Sequence, residues 1–406
     1  MILERVTLRP DMIQRPTLQS AVKGGDCISA LDLAALIDKP DDREKLLLAQ
    51  AQLRCGRFAE AGRNAKEVLE GTSIREQKVS SLWILSQAAY MANDFNLAHQ
   101  YAAEARRSGL QVLGWHLTLL ESLAATELYR IDGDRDTTVE MTSRNPGIPR
   151  IPVRMEGQPA IAVIDSGAAH TIVSESLAGT VGLVPIENAR GVFYGLLGEP
   201  IAVSLSRIDS LEIGSMTVRN VPVAIMSDEK LSFFTRNQQR IRLDLLLGAM
   251  LLKEFRIRLD SASDRASFTA LSETDRRPAP DQNLFFLEFR PYVRAVVNGY
   301  GWYPFLLDTG SEITWLNRSR LRIDTPLFSS GGAHRARLQG LGGAQVWGEK
   351  LSNVSIGIGG WAGRFRHLPL YSGSESEGVG IIGQNLLSHF IVEIDFGRMR
   401  VELLRR

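Results

Sequence analysis

Twice in this 406-residue chain an apolar run ends in an acid, a hydroxyl residue and a glycine, and no other feature restricts the fold as much. The first copy is Val163-Ile164-Asp165-Ser166-Gly167-Ala168 and the second is Leu306-Leu307-Asp308-Thr309-Gly310-Ser311. Each is followed, at a similar distance, by a second apolar run broken by glycine. These runs are Leu245-Leu246-Leu247-Gly248 and Gly380-Ile381-Ile382-Gly383-Gln384-Asn385-Leu386-Leu387. Two motifs repeated in the same order indicate one domain duplicated within the chain, and the duplication offers two carboxylates to a single site.

The bulk properties bound the rest. The length suggests two or three domains, and 44% apolar with 23% charged residues is ordinary for a globular protein. A formal net charge of +1 without a long charged block gives no reason to expect nucleic acid or an anionic membrane surface as partner. No apolar run approaches the ~20 residues of a membrane span, and Met1-Ile2-Leu3-Glu4-Arg5 does not read as a signal peptide. The expected compartment is therefore the cytoplasm, or the periplasm if the chain is a trimmed piece. Cys27 and Cys55 are too few for a disulfide framework or a thiolate metal site, and Cys27 reads as a small buried hydrophobe. The six histidines show no metal spacing, so neither metal nor cofactor is expected.

From Ala21 to about Tyr129 the apolar residues recur three and four apart, which predicts helices. A short signature returns as Gly25-Asp26-Cys27, Gly56-Arg57-Phe58 and Asn93-Asp94-Phe95, each followed by an alanine three residues on. This spacing resembles the turns of tetratricopeptide repeats, whose period is ~34. Trp83, Tyr90 and Trp115 are then expected as core aromatics, with a concave face free for a protein partner. Residues 132–145 are polar and aperiodic and read as a linker. Beyond Pro146 the period becomes that of strands. The expected organisation is thus multidomain α plus all-β: a helical repeat domain over residues 1–131, then β-barrel halves over 146–275 and 276–406.

Phe305-Leu306-Leu307-Asp308-Thr309-Gly310, taken with Ile381-Ile382-Gly383-Gln384-Asn385-Leu386-Leu387, resembles the catalytic and closing motifs of retropepsins. The first copy is more diverged. The resemblance covers about Pro146 to Arg406 and implies two acid-protease lobes in one chain, a monomer with an internal pseudo-dimer. It implies Asp165 and Asp308 as catalytic acids, with Ser166, Gly167, Thr309, Gly310 and Ser311 supporting them, and an extended peptide or unfolded protein as substrate. One departure stands out: the family's acid and arginine after the glycines are here Ala169 and Ala249 in the first half and Glu312 and Gln384 in the second.

The chemistry follows from the pairing. Hydrolysis of an amide needs one group to take a proton from water and another to give one to the carbonyl. Two adjacent carboxyls do both because they cannot ionise together, as is known of aspartic proteases. A hydroxyl on Ser311, where the first half has Ala168, is expected to make Asp308 the more acidic of the pair. Phe193-Tyr194-Gly195 and Gly340-Leu341-Gly342 are expected at the tips of flaps that fold over substrate. His170 is expected in a structural role and Trp302, Trp315, Trp347 and Trp361 in cores or interfaces. The alternative is a non-catalytic adaptor that holds a peptide in a protease-like cleft, and a further reading makes the helical domain a regulator covering that cleft.

Overall fold

The computed structural model describes residues 1–6, 16–142, 147–195, 197–234, 240–320, 336–339, 345–372 and 378–405. Strand β1 (Ile2–Arg5) precedes a run of helices: α1 (Leu18–Lys23), α2 (Cys27–Ala34), α3 (Asp42–Arg54), α4 (Phe58–Gly71), α5 (Arg75–Met91), α6 (Phe95–Arg107) and α7 (Gly114–Ser122). Consecutive helices from α1 to α7 pack on one another. Gly25, Gly56 and Asn93 close α1, α3 and α5 in the left-handed region, at φ 78°, 77° and 64°. Such a residue satisfies the last helical carbonyls and reverses the chain. Each is followed by the first residues of the next helix, with Asp26 and Asp94 accepting amide hydrogens from Ser29 and Leu97.

Three expectations for this region are corrected. Cys27, at the start of α2, is bonded to Cys55, at the end of α3. Two antiparallel helices bring those ends within 5.9 Å between Cα atoms, a separation a disulfide spans. Sequence counting misses it because a single bridge needs no framework. The first residues do not join the helices: β1 pairs antiparallel with the distant segment 361–364, and Glu4 bonds to Arg364 and Ser355. Residues 132–145 are not a plain linker either, since they carry the second half of β2 (Arg130–Gly133) and all of β3 (Asp136–Glu140). In β3 only Thr137 and Val139 are buried, a period-two signal hidden by its threonines and acids. Opening the disulfide with reductant, or by Cys55→Ala, is expected to lower stability by about 3 kcal/mol through the freed chain between the cysteines. Urea unfolding followed by circular dichroism measures this.

Two closed rings of strands follow. The first contains β4 (Arg150–Met155), β5 (Gln158–Ile164), β6 (Thr171–Ser174), α8 (Glu175–Thr180), β7 (Arg190–Tyr194), β8 (Pro200–Ile213), β9 (Met216–Met226), the small hairpin β10 (Ser232–Phe234) and β11 (Arg240–Arg242), β12 (Leu245–Leu247) and α9 (Ala249–Leu252). The strands β13 (Phe255–Asp260) and β14 (Arg265–Ala270) leave it. The second contains β15 (Leu284–Leu287), β16 (Arg290–Val297), β17 (Tyr300–Leu307), β18 (Trp315–Asn317), β19 (Ala336–Gln339), β20 (Gln345–Ile358), β21 (Trp361–Tyr371), β22 (Gly380–Ile382) and α10 (Gln384–Leu387), and ends in β23 (Ile391–Asp395) and β24 (Arg400–Leu404).

The hydrogen-bonded order β9-β6-β12-β5-β4-β8 closes through β8 onto β9, and β21-β18-β22-β17-β16-β20 closes in the same way through β20 onto β21. Equivalent strands occupy equivalent places, so the two rings share one topology. Alternation builds each ring: Ile151, Val153 and Met155 of β4 point inward while Arg154 faces out. The hairpins opening the two copies turn on Glu156-Gly157 and Asn298-Gly299, all four at positive φ, the twist a tight hairpin requires.

A five-stranded sheet, β24-β23-β13-β14-β3, ties the rings together. Ile257 lies opposite Ile394 and Leu259 opposite Val392, while Phe255 and Phe268 meet edge to face at 5.7 Å in its buried layer. Each such side chain contributes about 2 kcal/mol by leaving water. The sheet thereby fixes how the two acid-bearing strands face each other.

Candidate active site

Strands β5 and β17 deliver Asp165 and Asp308. Each runs parallel to a closing strand, Leu247 beside Ile164 and Ile382 beside Leu307. Each acid donates its own amide to that closing strand, Asp165 to Leu247 at 3.1 Å and Asp308 to Ile382 at 3.0 Å. The loop beyond each acid then crosses over the closing glycine. A Cβ on Gly248 would stand 2.2 Å from the His170 carbonyl carbon, and one on Gly383 2.6 Å from the Ile313 oxygen. Both positions therefore accept no side chain.

The loops interlock. Ser166 N–H donates to Thr309 Oγ1 at 3.0 Å, and Thr309 N–H donates to Ser166 Oγ at 3.1 Å. Each hydroxyl passes its own proton to the strand across the interface, Ser166 to Leu307 O and Thr309 to Ile164 O, both at 2.6 Å. All four groups are buried, so replacing Thr309 by valine strands the Ser166 amide and the Ile164 carbonyl without water. An unmade buried hydrogen bond costs about 1–3 kcal/mol. Thr309→Val is therefore expected to lower the free energy of urea unfolding by that amount, whereas Thr309→Ser should recover most of it.

This interlock sets the acids face to face. A Cβ on Gly167 would lie 2.4 Å from the Asp308 carboxyl carbon, and one on Gly310 would lie 2.6 Å from that of Asp165. Each glycine thus forms the floor beneath the opposite acid. Asp165 Oδ1 accepts the amides of Gly167 at 3.0 Å and Ala168 at 3.2 Å. Burial pushes Asp165 up to about 6, against those amides and the neighbouring Asp308 carboxyl. Burial, and then the Asp165 charge, push Asp308 well above the usual carboxylate range, against the Gly310 and Ser311 amides and Arg290. Both carboxyls are thus raised, and they titrate as a pair rather than one by one. The Ser311 hydroxyl is turned away and donates to Ile313 O at 3.0 Å, so only the Ser311 backbone amide serves Asp308.

Sequence reasoning missed several supports of this arrangement. The amides of Gly248 and Gly383 donate to the hydroxyls of Thr171 and Thr314, each six residues after its acid, a shared spacing that would have revealed them. Gln384, where the viral family has arginine, donates from Nε2 to Thr309 O at 2.8 Å. Asn385 accepts the Thr314 amide at 2.7 Å. An amide side chain thus braces the loop at the position that carries a charge in the family pattern.

Tyr194 and Gly195 sit at the tip of the β7–β8 hairpin. Gly195 exchanges a tight turn with Glu199 and Gly198, and Tyr194 is 68% exposed. Gly340, Leu341 and Gly342 lie outside the described residues. Trp315 is fully buried, whereas Trp347, expected in a core or interface, is 63% exposed on β20. Among the described residues no group of three or more His, Cys, Asp or Glu is arranged to hold a metal, and no helix is long and apolar enough to cross a membrane.

Residues 151–251 match the family model described as aspartyl protease. That span carries Asp165, the β7–β8 hairpin and the first closing glycine. Among solved structures, a retropepsin-like aspartic protease from Rickettsia conorii is similar at 17% identity, covering 35% of this chain and 98% of its own, with a TM-score of 0.24. No curated protein matches.

Proposed function

We propose that this chain is an aspartic endopeptidase of two retropepsin-like lobes, in which Asp165 and Asp308 share one proton and activate water between them. The observation that carries the reading is reciprocal: each acid rests against the glycine of the other motif, with the two loops bonded through Ser166 and Thr309. The aspartyl-protease match over residues 151–251 supports it independently. In this mechanism ionised Asp165 takes a proton from water as that water attacks the peptide carbonyl. Protonated Asp308 donates to the carbonyl oxygen, and the pair then returns a proton to the leaving amine. The β7–β8 hairpin, with Tyr194 at its tip, serves as a flap, and substrate lies extended beneath it, bonded through its main chain.

The helical array fits a tetratricopeptide-like scaffold, a reading supported by its three recurring left-handed turns. The test of the enzyme reading is cleavage of a peptide library and of an unfolded protein between pH 4 and 8, with and without a pepstatin-type inhibitor. Inhibitor-sensitive cleavage is expected. Peptide binding without cleavage at any pH would overturn it in favour of an adaptor.

A further inference from the structure

The helical array meets the first ring at the very loop and hairpin the proposed reaction depends on. His170 ends the loop that begins at Asp165. It stacks on Phe193 of β7 at 5.2 Å and lies 3.5 Å, through Nδ1, from the Tyr90 hydroxyl of α5. Trp115 of α7 packs against Phe193 at 5.8 Å, and its ring lies so close to Gly191 that a Cβ there would stand 2.8 Å away. His116 completes the cluster, tilted against Tyr90 at 5.7 Å and edge-on to Trp115 at 5.8 Å. From the second ring Phe289 meets Tyr90 at 5.0 Å. Three parts of the molecule thus meet beside β7 through aromatic rings, two of them imidazoles, with Trp115 and His170 on Phe193 itself.

We propose that Tyr90, Trp115 and His116 of the helical array are positioning residues for the proposed protease site, holding β7 and the Asp165 loop in place at neutral pH and releasing them in acid through His116 and His170. The proposal rests on the paired-acid reading for its functional consequence, though not for the clamp itself. The other ionisable groups facing the junction do not oppose it. Burial pushes Tyr90 well up, and burial, with Tyr90 and Glu254 adding to it, pushes Tyr129 well above the ordinary range, so both stay neutral. Lys253 and Glu254, reached through Asn93, pair with each other, as do Glu288 and Arg290 beside Phe289. Trp115, Phe193 and Phe289 carry no charge.

Burial holds His116 near 4, and burial together with His116 does the same for His170, against an ordinary 6.5. Between those values a released junction takes up protons that the packed one refuses. The packed state therefore loses its advantage as pH falls from about 6.5 towards 4, by ~100-fold for each histidine. Cleavage in acid should accordingly decline more steeply than titration of the acid pair alone would cause.

Hydrogen exchange tests this on the full chain, read at Arg190–Tyr194 relative to β5 and corrected for intrinsic rates. In the wild type, protection of Arg190–Tyr194 is expected to fall at least 100-fold from pH 7 to pH 4 while β5 holds. His116→Gln and His170→Gln should each flatten that dependence by about one proton. Protection that ignores pH in the wild type, or that falls as steeply in both variants as in the wild type, overturns the proposal. Gly191→Val, a good strand residue that displaces Trp115, covers the case in which a histidine variant does not fold. It should exchange faster than wild type already at pH 7, and wild-type protection there also overturns the clamp. A chain that releases β7 in acid yet cleaves nothing at any pH counts against the paired acids while upholding the clamp.

Discussion

Asp165→Asn and Asp308→Asn are each expected to reduce peptide cleavage by at least ~10³-fold, the scale of losing a positioned acid or base. An asparagine at either place can neither take the water proton nor share the single proton of the pair. The same substitutions should not unfold the protein. Both carboxyls have folded-state values raised above the ordinary 3.8, so the folded state keeps protons that the unfolded chain releases. Stability from the pair is therefore present below about 3.8 and lost as pH rises through the folded values. At pH 7 the buried pair is a cost, and Asp165→Asn/Asp308→Asn should melt higher than wild type there and show no gain at pH 3. Wild-type cleavage should rise with pH through about 6, as the pair gives up its first proton, and fall as it gives up the second. Full cleavage by either single variant would remove the paired-acid reading. A double variant that melts lower at pH 7 would contradict the burial argument.

The acid-bearing strands were legible because Val163-Ile164 and Leu306-Leu307 are short apolar runs that stop at an acid and a glycine, and the closing runs stop at a glycine for the same geometric reason. The recurring Gly25, Gly56 and Asn93 were legible because left-handed turns admit few residue types. What the sequence hid was pairing at a distance. Phe255–Asp260 and Ile391–Asp395 each read as a strand, but nothing in either says they lie side by side. Cys27 and Cys55 each looked solitary. Thr137 and Val139 carry too short an alternation to announce β3. The Ser311 hydroxyl failed for a different reason: a residue type signals what it can donate, whereas the acceptor it finds, Ile313 O, depends on where the loop turns. The clamp on β7 was illegible altogether, since Tyr90, Trp115, His170 and Phe193 come from separate segments and share no spacing.

Lys253-Glu254 is a buried ion pair, and its loss should have the largest effect on stability. Only 2% and 6% of these residues is exposed. Lys253 Nζ pairs with Glu254 and also donates to Asn93 Oδ1 at 2.8 Å, while Asn93 Nδ2 donates to Glu254 Oε1 at 2.9 Å. Arg276, from the connector between the rings, pairs with the other Glu254 oxygen and donates to Lys253 O at 3.1 Å. Helical array, first ring and connector are thus pinned at one point. Burial alone would raise the Glu254 value, but Lys253 and Arg276 outweigh it and hold the carboxyl below its usual range. Its share of stability is therefore present above about 4.5 and lost as pH falls through the lower folded value. Glu254→Ala leaves a buried ammonium beside Asn93, the Tyr129 ring 5.6 Å away and the repelling Arg276 charge. Removing one partner of a buried pair costs about 3–5 kcal/mol. Replacing both, as Lys253→Met/Glu254→Leu, removes the uncompensated charge and should recover much of that loss, because the desolvation the pair had to overcome disappears with it. Urea unfolding of the single and double variants decides the matter. A loss below about 1 kcal/mol in Glu254→Ala, or a double variant no better than the single, would mean that water reaches the pair and that the joint between helices and barrel is held by its apolar contacts instead.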